Sequence, residues 1–243
     1  MQRFFINETN IKDNKIFLEG ESYNHIVKVL RMKIDDIIYL SYNKLDYISK
    51  IIEIEKNYVN LEVLEIKEND TEPKTYIHLF QGLPKQDKLE YIIQKSVELG
   101  VSEITPVETK FCIAKINKKS SDKADRLLKI SESASYQCGR GIIPKVNSPI
   151  NFKELSKFNF KDSINIVAYE KEEIKTLKSL LTAKNIENKK INVFIGSEGG
   201  IATEEIETLT SLGFVPITLG KRILRTETAP LNILSNIIYE LEM

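Results

Sequence analysis

Apolar and polar positions change rhythm near residue 70 of the chain. Before it, apolar side chains come in short β-like runs at residues 37–40, 47–52 and 59–63, separated by turns rich in Asn and Asp. Short strands in succession predict a small β-barrel. Residues 67–73, Lys-Glu-Asn-Asp-Thr-Glu-Pro, carry no period and end on proline, which is the make-up of an interdomain linker. Two domains are expected, over residues 1–70 and 73–243.

Beyond the linker, strand patterns at residues 76–80, 104–107, 164–168, 191–195 and 215–219 are each followed by a helical pattern, at 87–99, 122–138, 172–181, 203–212 and 226–241. Such alternation predicts an α/β fold with a mainly parallel sheet, helices on both faces and ligands at the carboxyl ends of the strands. The first helix is well punctuated. Asp87 and Glu90 have capping-box spacing, Leu89, Ile92, Ile93 and Val97 share one face, and Gly100 is placed to end it. Thr203 is the expected N-cap of a later helix.

Composition narrows the partners. With 42% hydrophobic residues in 243 the chain can bury real cores, so disorder is not expected. Net charge is zero, from 35 basic and 35 acidic side chains, which argues against a histone-like polycation and leaves room for a local basic face. Basic residues outnumber acidic ones between Lys85 and Lys145, while the first domain leans acidic. Cys112 and Cys138 lack C-x-x-C spacing and the chain has only His25 and His78, so no structural metal site is expected. No apolar run approaches the ~20 residues that span a bilayer, and Met1 is not followed by a signal-peptide core. A soluble, reduced, cytoplasmic protein is expected.

Two glycine-bearing segments carry the candidate chemistry. Phe194-Ile195-Gly196-Ser197-Glu198-Gly199-Gly200 and Leu219-Gly220-Lys221-Arg222-Ile223-Leu224-Arg225-Thr226-Glu227-Thr228-Ala229 each follow an apolar strand and lead into a helix. Glycine there lets the backbone turn and approach a ligand closely, or simply makes a tight strand-to-helix turn. Glu198 is unsuited to a phosphate cradle, because its carboxylate would repel the anion. It suits a cationic or amine-bearing ligand. The charges of Arg222, Arg225 and Glu227 also fit a solvated cluster at a helix start, and Arg140 fits a helix C-terminus.

Together these segments resemble the signature of the RsmE family, knotted SPOUT-superfamily methyltransferases of 16S ribosomal RNA. The likeness extends to Arg3-Phe4-Phe5, His25 to Met32, Gln81 to Lys85, Gln94 to Val101 and Ser133 to Arg140, and covers nearly all of the chain. It implies a trefoil-knotted domain behind a PUA-like β-barrel, and transfer of a methyl group from S-adenosylmethionine to N3 of a uridine, number 1498 in the family's target. The cofactor pocket implied by the resemblance comprises Ala168, Tyr169 and Glu170, then Ile195, Gly196, Ser197, Gly199 and Gly200, then Leu219, Gly220, Ile223, Leu224, Arg225 and Thr226. Ser197 stands where the family usually has proline. Gln137 and Arg140 match a family E-Q-x-x-R motif in which Tyr136 replaces the glutamate.

The resemblance makes Arg140 the group that steadies the uracil anion in the partner subunit's pocket of a homodimer, since arginine stays protonated and is no base. Glu198 or ordered water would accept the N3 proton, with Glu198 equally suited to orienting its loop. RNA contacts are expected from Arg3, Lys28, Arg31, Lys85 and Arg222, with RNA rather than DNA or a membrane as partner. His25 is expected to be a partly buried structural residue, with Val27, Leu30 and Met32 in the core. Two rivals share most of these features: a ribose 2′-O-methyltransferase of the same superfamily, and a catalytically silent RNA-binding factor.

Overall fold

The short alternating runs of the first part pair as antiparallel strands. A computed structural model describes residues 3–85, 87–116, 120–182 and 190–243. The chain divides into two units, Met1–Glu72 with Ser135–Ile143, and Pro73–Ala134 with Pro144–Met243.

In the first unit the elements are β1 (Arg3–Phe5), β2 (Ile11–Lys12), β3 (Lys15–Glu19), α1 (Gly20–Asn24), β4 (Ile37–Tyr42), β5 (Leu45–Ile54) and β6 (Tyr58–Glu68). They form a six-stranded sheet in the order β1-β4-β5-β6-β3-β2, with β1 parallel to β4 and the other pairs antiparallel. Alternate residues supply the core: Phe4, Ile16, Leu18, Ile38, Leu40, Ile51 and Leu61 are buried together. Asn43 and Lys44, both at positive φ, close the β4–β5 hairpin as a two-residue turn. After α1 the helix widens at His25–Val29, where Leu30 N–H bonds to His25 O across five residues.

Ser135–Ile143, expected in the second domain, clusters with this unit for a local reason. Tyr136 packs its ring 5.8 Å from Phe4 and 5.2 Å from Phe5.

The second unit contains β7 (Ile77–Gly82), α2 (Lys88–Glu98), β8 (Glu103–Glu108), α3 (Ser120–Cys138, up to Ala134), β9 (Lys145–Val146), β10 (Ile150–Asn151), β11 (Ser163–Ala168), α4 (Leu177–Thr182), β12 (Lys190–Ile195), α5 (Thr203–Ser211), β13 (Val215–Ile217) and α6 (Thr228–Glu242). Its sheet runs β10-β8-β7-β12-β11-β13, with β9 also on β8, and every pair is parallel. Every residue of the central β7 is buried, as a strand covered on both faces requires. Phe80, Phe160, Phe194 and Phe214 meet edge to face in its core.

Three local expectations are corrected. Asp87 precedes α2 without a side-chain cap, and the Glu90 carboxylate pairs instead with Arg126 at 2.7 Å. Thr203 is the first helical residue of α5 rather than its cap. Glu205 reaches back 3.0 Å to the Ala202 N–H and also takes the Lys110 N–H at 2.8 Å. The helix expected over 172–181 shrinks to α4, because Glu172 turns the chain by accepting the Ile174 and Lys175 amides at 2.8 and 3.0 Å. Gly100 does end α2: at φ +87° it lets Val101 N–H reach Ser96 O and its own N–H reach Val97 O.

Candidate active site

Parallel registration brings the carboxyl ends of β11, β12 and β13 to one edge of the sheet, with Val167 beside Phe194 and Ala168 beside Ile217. The segments that leave those ends enclose a cleft of about 1050 Å³. Ala168 ends β11, and Tyr169 and Glu170 follow it. Ile195 ends β12, and Gly196, Ser197, Glu198, Gly199 and Gly200 follow it. Leu219, Gly220, Lys221, Arg222, Ile223, Leu224, Arg225 and Thr226 come after β13. The cleft therefore gathers all the expected cofactor residues, together with Lys88, Glu172, Glu173, Thr176, Ile201, Thr218 and Ala229, which sequence reasoning left out.

The first loop turns tightly, with Gly200 N–H bonded to Ser197 O at 2.9 Å and Gly200 at φ +74°. A Cβ on Gly200 would come within 2.6 Å of Glu170 Oε1, so the glycine also lets the β11 segment close against this loop. Behind it, β7 supplies a bracket. Gln81, fully buried, donates from Nε2 to Thr226 Oγ1 at 3.0 Å, and Thr226 donates to Gly196 O at 2.7 Å. One strand and both loops are thereby tied together. Gln81 Oε1 and Ser197 Oγ are buried without a hydrogen-bond partner.

Charge at the cleft is arranged around acids. Glu198 Oε1 accepts the Lys85 N–H at 3.0 Å and lies 3.3 Å from Lys88 Nζ. Burial pulls its proton affinity up, yet the Lys85 amide, its own amide and Lys88 outweigh burial and hold the carboxyl below the usual range. Glu198 is thus ionised at neutral pH and a weakened proton acceptor. Glu227, similarly lowered against burial by its own amide, Lys88 and Arg225, pairs with Lys88 Nζ at 3.0 Å. Lys221, Arg222 and Ile223 are exposed at the rim, Ile223 by 86%.

Of the other expected site residues, Arg3, Lys28, Arg31 and Arg140 belong to the first unit and Lys85 to the second. Arg140 is buried, and Glu72 fixes its guanidinium through Nε at 3.2 Å and Nη2 at 2.6 Å. The same carboxylate accepts the Gly141 and Ile142 amides at 2.9 and 3.1 Å. Glu72 lay inside the aperiodic linker, where only its place before Pro73 marked it. Tyr136 leaves no carboxylate at the motif position, and Glu72 supplies one to Arg140 from elsewhere.

Arg3 is held by Asp46 and Ser41, with Nη2 3.0 Å from Asp46 Oδ2 and a side chain 11% accessible. Burial raises the Asp46 pKa, but Arg3, Ser41 and Asn69 together keep it below its ordinary value. Lys28, Arg31 and Lys85 are exposed. His25 is also exposed, contrary to expectation, with its ring edge-on to Phe4 at 5.3 Å. Val27, Leu30 and Met32 pack half-buried against the core. Among the described residues no cluster of His, Cys, Asp and Glu could hold a metal, and no helix is long and apolar enough to cross a membrane.

Residues 71–238 match the family model described as RNA methyltransferase domain, and residues 18–64 match RNA methyltransferase PUA domain. The chain is 37% identical over 234 residues to Ribosomal RNA small subunit methyltransferase E of Buchnera aphidicola, covering 93% of this chain and 88% of that one. To the protein of the same name from Bacillus subtilis it is 35% identical over 252 residues, covering 100% and 98%. A crystal structure of a Ribosomal RNA small subunit methyltransferase E from Neisseria gonorrhoeae bound to S-adenosyl methionine aligns with a TM-score of 0.87 and 29% identity, over 99% of this chain and 98% of that one.

Proposed function

Because the chain belongs to the family of ribosomal RNA small subunit methyltransferase E, we propose that its cleft binds S-adenosylmethionine and that the enzyme methylates 16S rRNA. The observation that carries this reading is the convergence of both glycine loops and residues 168–170 on one cleft at the carboxyl ends of a parallel sheet. The residues present fit the cofactor. Apolar Ile195, Ile201, Leu219, Leu224 and Ala229 suit an adenine ring, exposed loop backbone suits its polar edge, and Glu170 and Glu198 suit a cationic tail.

When bound, S-adenosylmethionine supplies an electrophilic methyl group on a sulfonium. The finer proposal is that the acceptor is N3 of the family's uridine. N3 lies on the pairing edge, so the base must be unpaired or extruded to reach the cleft. Its proton must leave, and with Glu198 already held by Lys85 and Lys88, water is the better acceptor. We assign Glu198 to anchoring its loop and to opposing cationic charge. Arg140, with its plane set by Glu72, is cast as the stabiliser of the uracil anion in a homodimer whose subunits exchange this residue. A cleft that aligns the two reactants would contribute up to ~7–11 kcal/mol of acceleration. Lys28, Arg31, Lys85 and Arg222 are proposed phosphate contacts, while Arg3 serves the first unit through Asp46. The trefoil threading and a cytoplasmic location complete the proposal.

The test is nucleoside mass spectrometry of 30S subunits lacking the modification after incubation with the protein and S-adenosylmethionine. New 3-methyluridine is expected. A 2′-O-methylated nucleoside instead would overturn the atom assigned, and a protein that binds no cofactor would be an RNA-binding factor.

A further inference from the structure

One cation receives carboxylates from both glycine loops. Lys88, the first residue of α2, lines the cleft and places Nζ 3.3 Å from Glu198 Oε1 and 3.0 Å from Glu227 Oε2. Glu198 belongs to the loop after β12 and Glu227 to the segment entering α6, so the ammonium bridges stretches of chain that share no strand pairing. The three side chains are 33%, 26% and 18% accessible, which leaves the pairs only partly screened by water. The loops are also tied by the hydrogen bond from Thr226 to Gly196 O and by Gln81 Nε2, which donates to Thr226 Oγ1 at 3.0 Å and to Gly196 O at 3.5 Å. Without Lys88, two anionic carboxylates would face each other across the loops and favour their separation.

We propose that Lys88 is a positioning residue that holds the two loops at the spacing the cofactor requires. The inference rests on the reading of the cleft as the S-adenosylmethionine site. Loops that spend less time at the competent spacing bind with an apparent dissociation constant raised by the inverse of the competent fraction. Lys88 touches neither reacting atom in this scheme, so its loss acts on binding rather than on the chemical step.

Calorimetric titration of S-adenosylmethionine, together with steady-state methylation of 30S subunits, tests this on wild type, Lys88→Gln, Lys88→Arg and Lys88→Gln/Glu227→Gln. Lys88→Gln is expected to raise Kd and KM for the cofactor by about tenfold, with kcat at saturating cofactor within about twofold of wild type. Lys88→Arg should restore most of the affinity, and adding Glu227→Gln to Lys88→Gln should recover part of it by removing the repulsion. An unchanged Kd in Lys88→Gln overturns the inference, as does a lowered kcat at unchanged KM, the pattern of a smaller folded fraction. If Lys88→Gln fails to fold, Glu227→Gln alone breaks one pair and is expected to raise KM about threefold; no rise overturns the inference. Absence of cofactor binding by wild type would remove the reading of the cleft, whereas binding that Lys88→Gln leaves intact removes the role of Lys88 alone.

Discussion

Gly82 ends β7 against the first glycine loop, and a Cβ there would lie 2.5 Å from Ser197 N and 2.7 Å from Gly196 C. Both obstacles are backbone, so the loop itself would have to move. Gly82→Ala is expected to cost roughly 1–3 kcal/mol in stability. Cofactor affinity should fall by more than about tenfold, because a displaced loop no longer presents its amides where the ligand needs them. Denaturant unfolding alongside cofactor titration checks both; full affinity in Gly82→Ala would show that the approach of β7 does not set the loop. Three glycines in five residues announced this loop from the sequence. Gln81 and Gly82 entered only as part of a stretch of family likeness, with no role attached, and Lys88 and Glu72 did not stand out, because each acts through a partner more than 60 residues away in the chain, and no local period marks such a pairing.

At the scale of elements, the central strands and later helices of the parallel unit were legible, while β9, β10 and the true start of α4 were not. β11, β12, α5 and α6 start or stop within two residues of the apolar patterns that predict them. Hydrophobic period survives folding because burial of one face decides the element. Caps were less legible, since side chains such as Glu90 had better partners in space than in sequence. The widened turn at His25–Val29 had no sequence signal either, yet it leaves Lys28 and Arg31 exposed, with Arg31 at φ +54°. Charge reversal of both, Lys28→Glu with Arg31→Glu, is expected to weaken RNA binding by about tenfold or more and to reduce its salt dependence. Cofactor affinity should not change. Filter binding at two salt concentrations decides it, and unaltered RNA affinity would remove this helix from the RNA surface.

For the molecule as a whole, one contribution to acid stability lies at the amino ends of β7 and β8, away from the cleft. His78 is buried with Nε2 2.7 Å from Thr105 Oγ1, and Nδ1 faces Glu103 Oε2 at 3.4 Å. Burial, only partly opposed by Glu103, depresses the His78 pKa well below the ordinary ~6.5. The unfolded chain then takes up a proton first as pH falls, so stability is full above that value and declines below it. Glu103 acts in the same sense at lower pH. Although burial raises its pKa, the bonds from Tyr76 and Asn147 and the charges of His78 and Lys145 lower it overall. Unfolding free energy is expected to fall by up to about 1.4 kcal/mol per pH unit below pH 6. Urea titrations at several pH values measure this, and a His78→Asn protein with the same slope would exonerate the imidazole.

The return of Ser135–Ile143 to the first unit means that the polypeptide passes from one unit to the other three times, after Glu72, Ala134 and Ile143. Neither unit is a cassette. Cutting the gene at a single codon cannot separate them: a fragment starting at Pro73 would keep Tyr136 and Arg140 but lose Phe4, Phe5 and Glu72, the groups they pack on and pair with. Shuffling the first unit onto another protein would therefore require two grafts, one of them in the middle of the recipient.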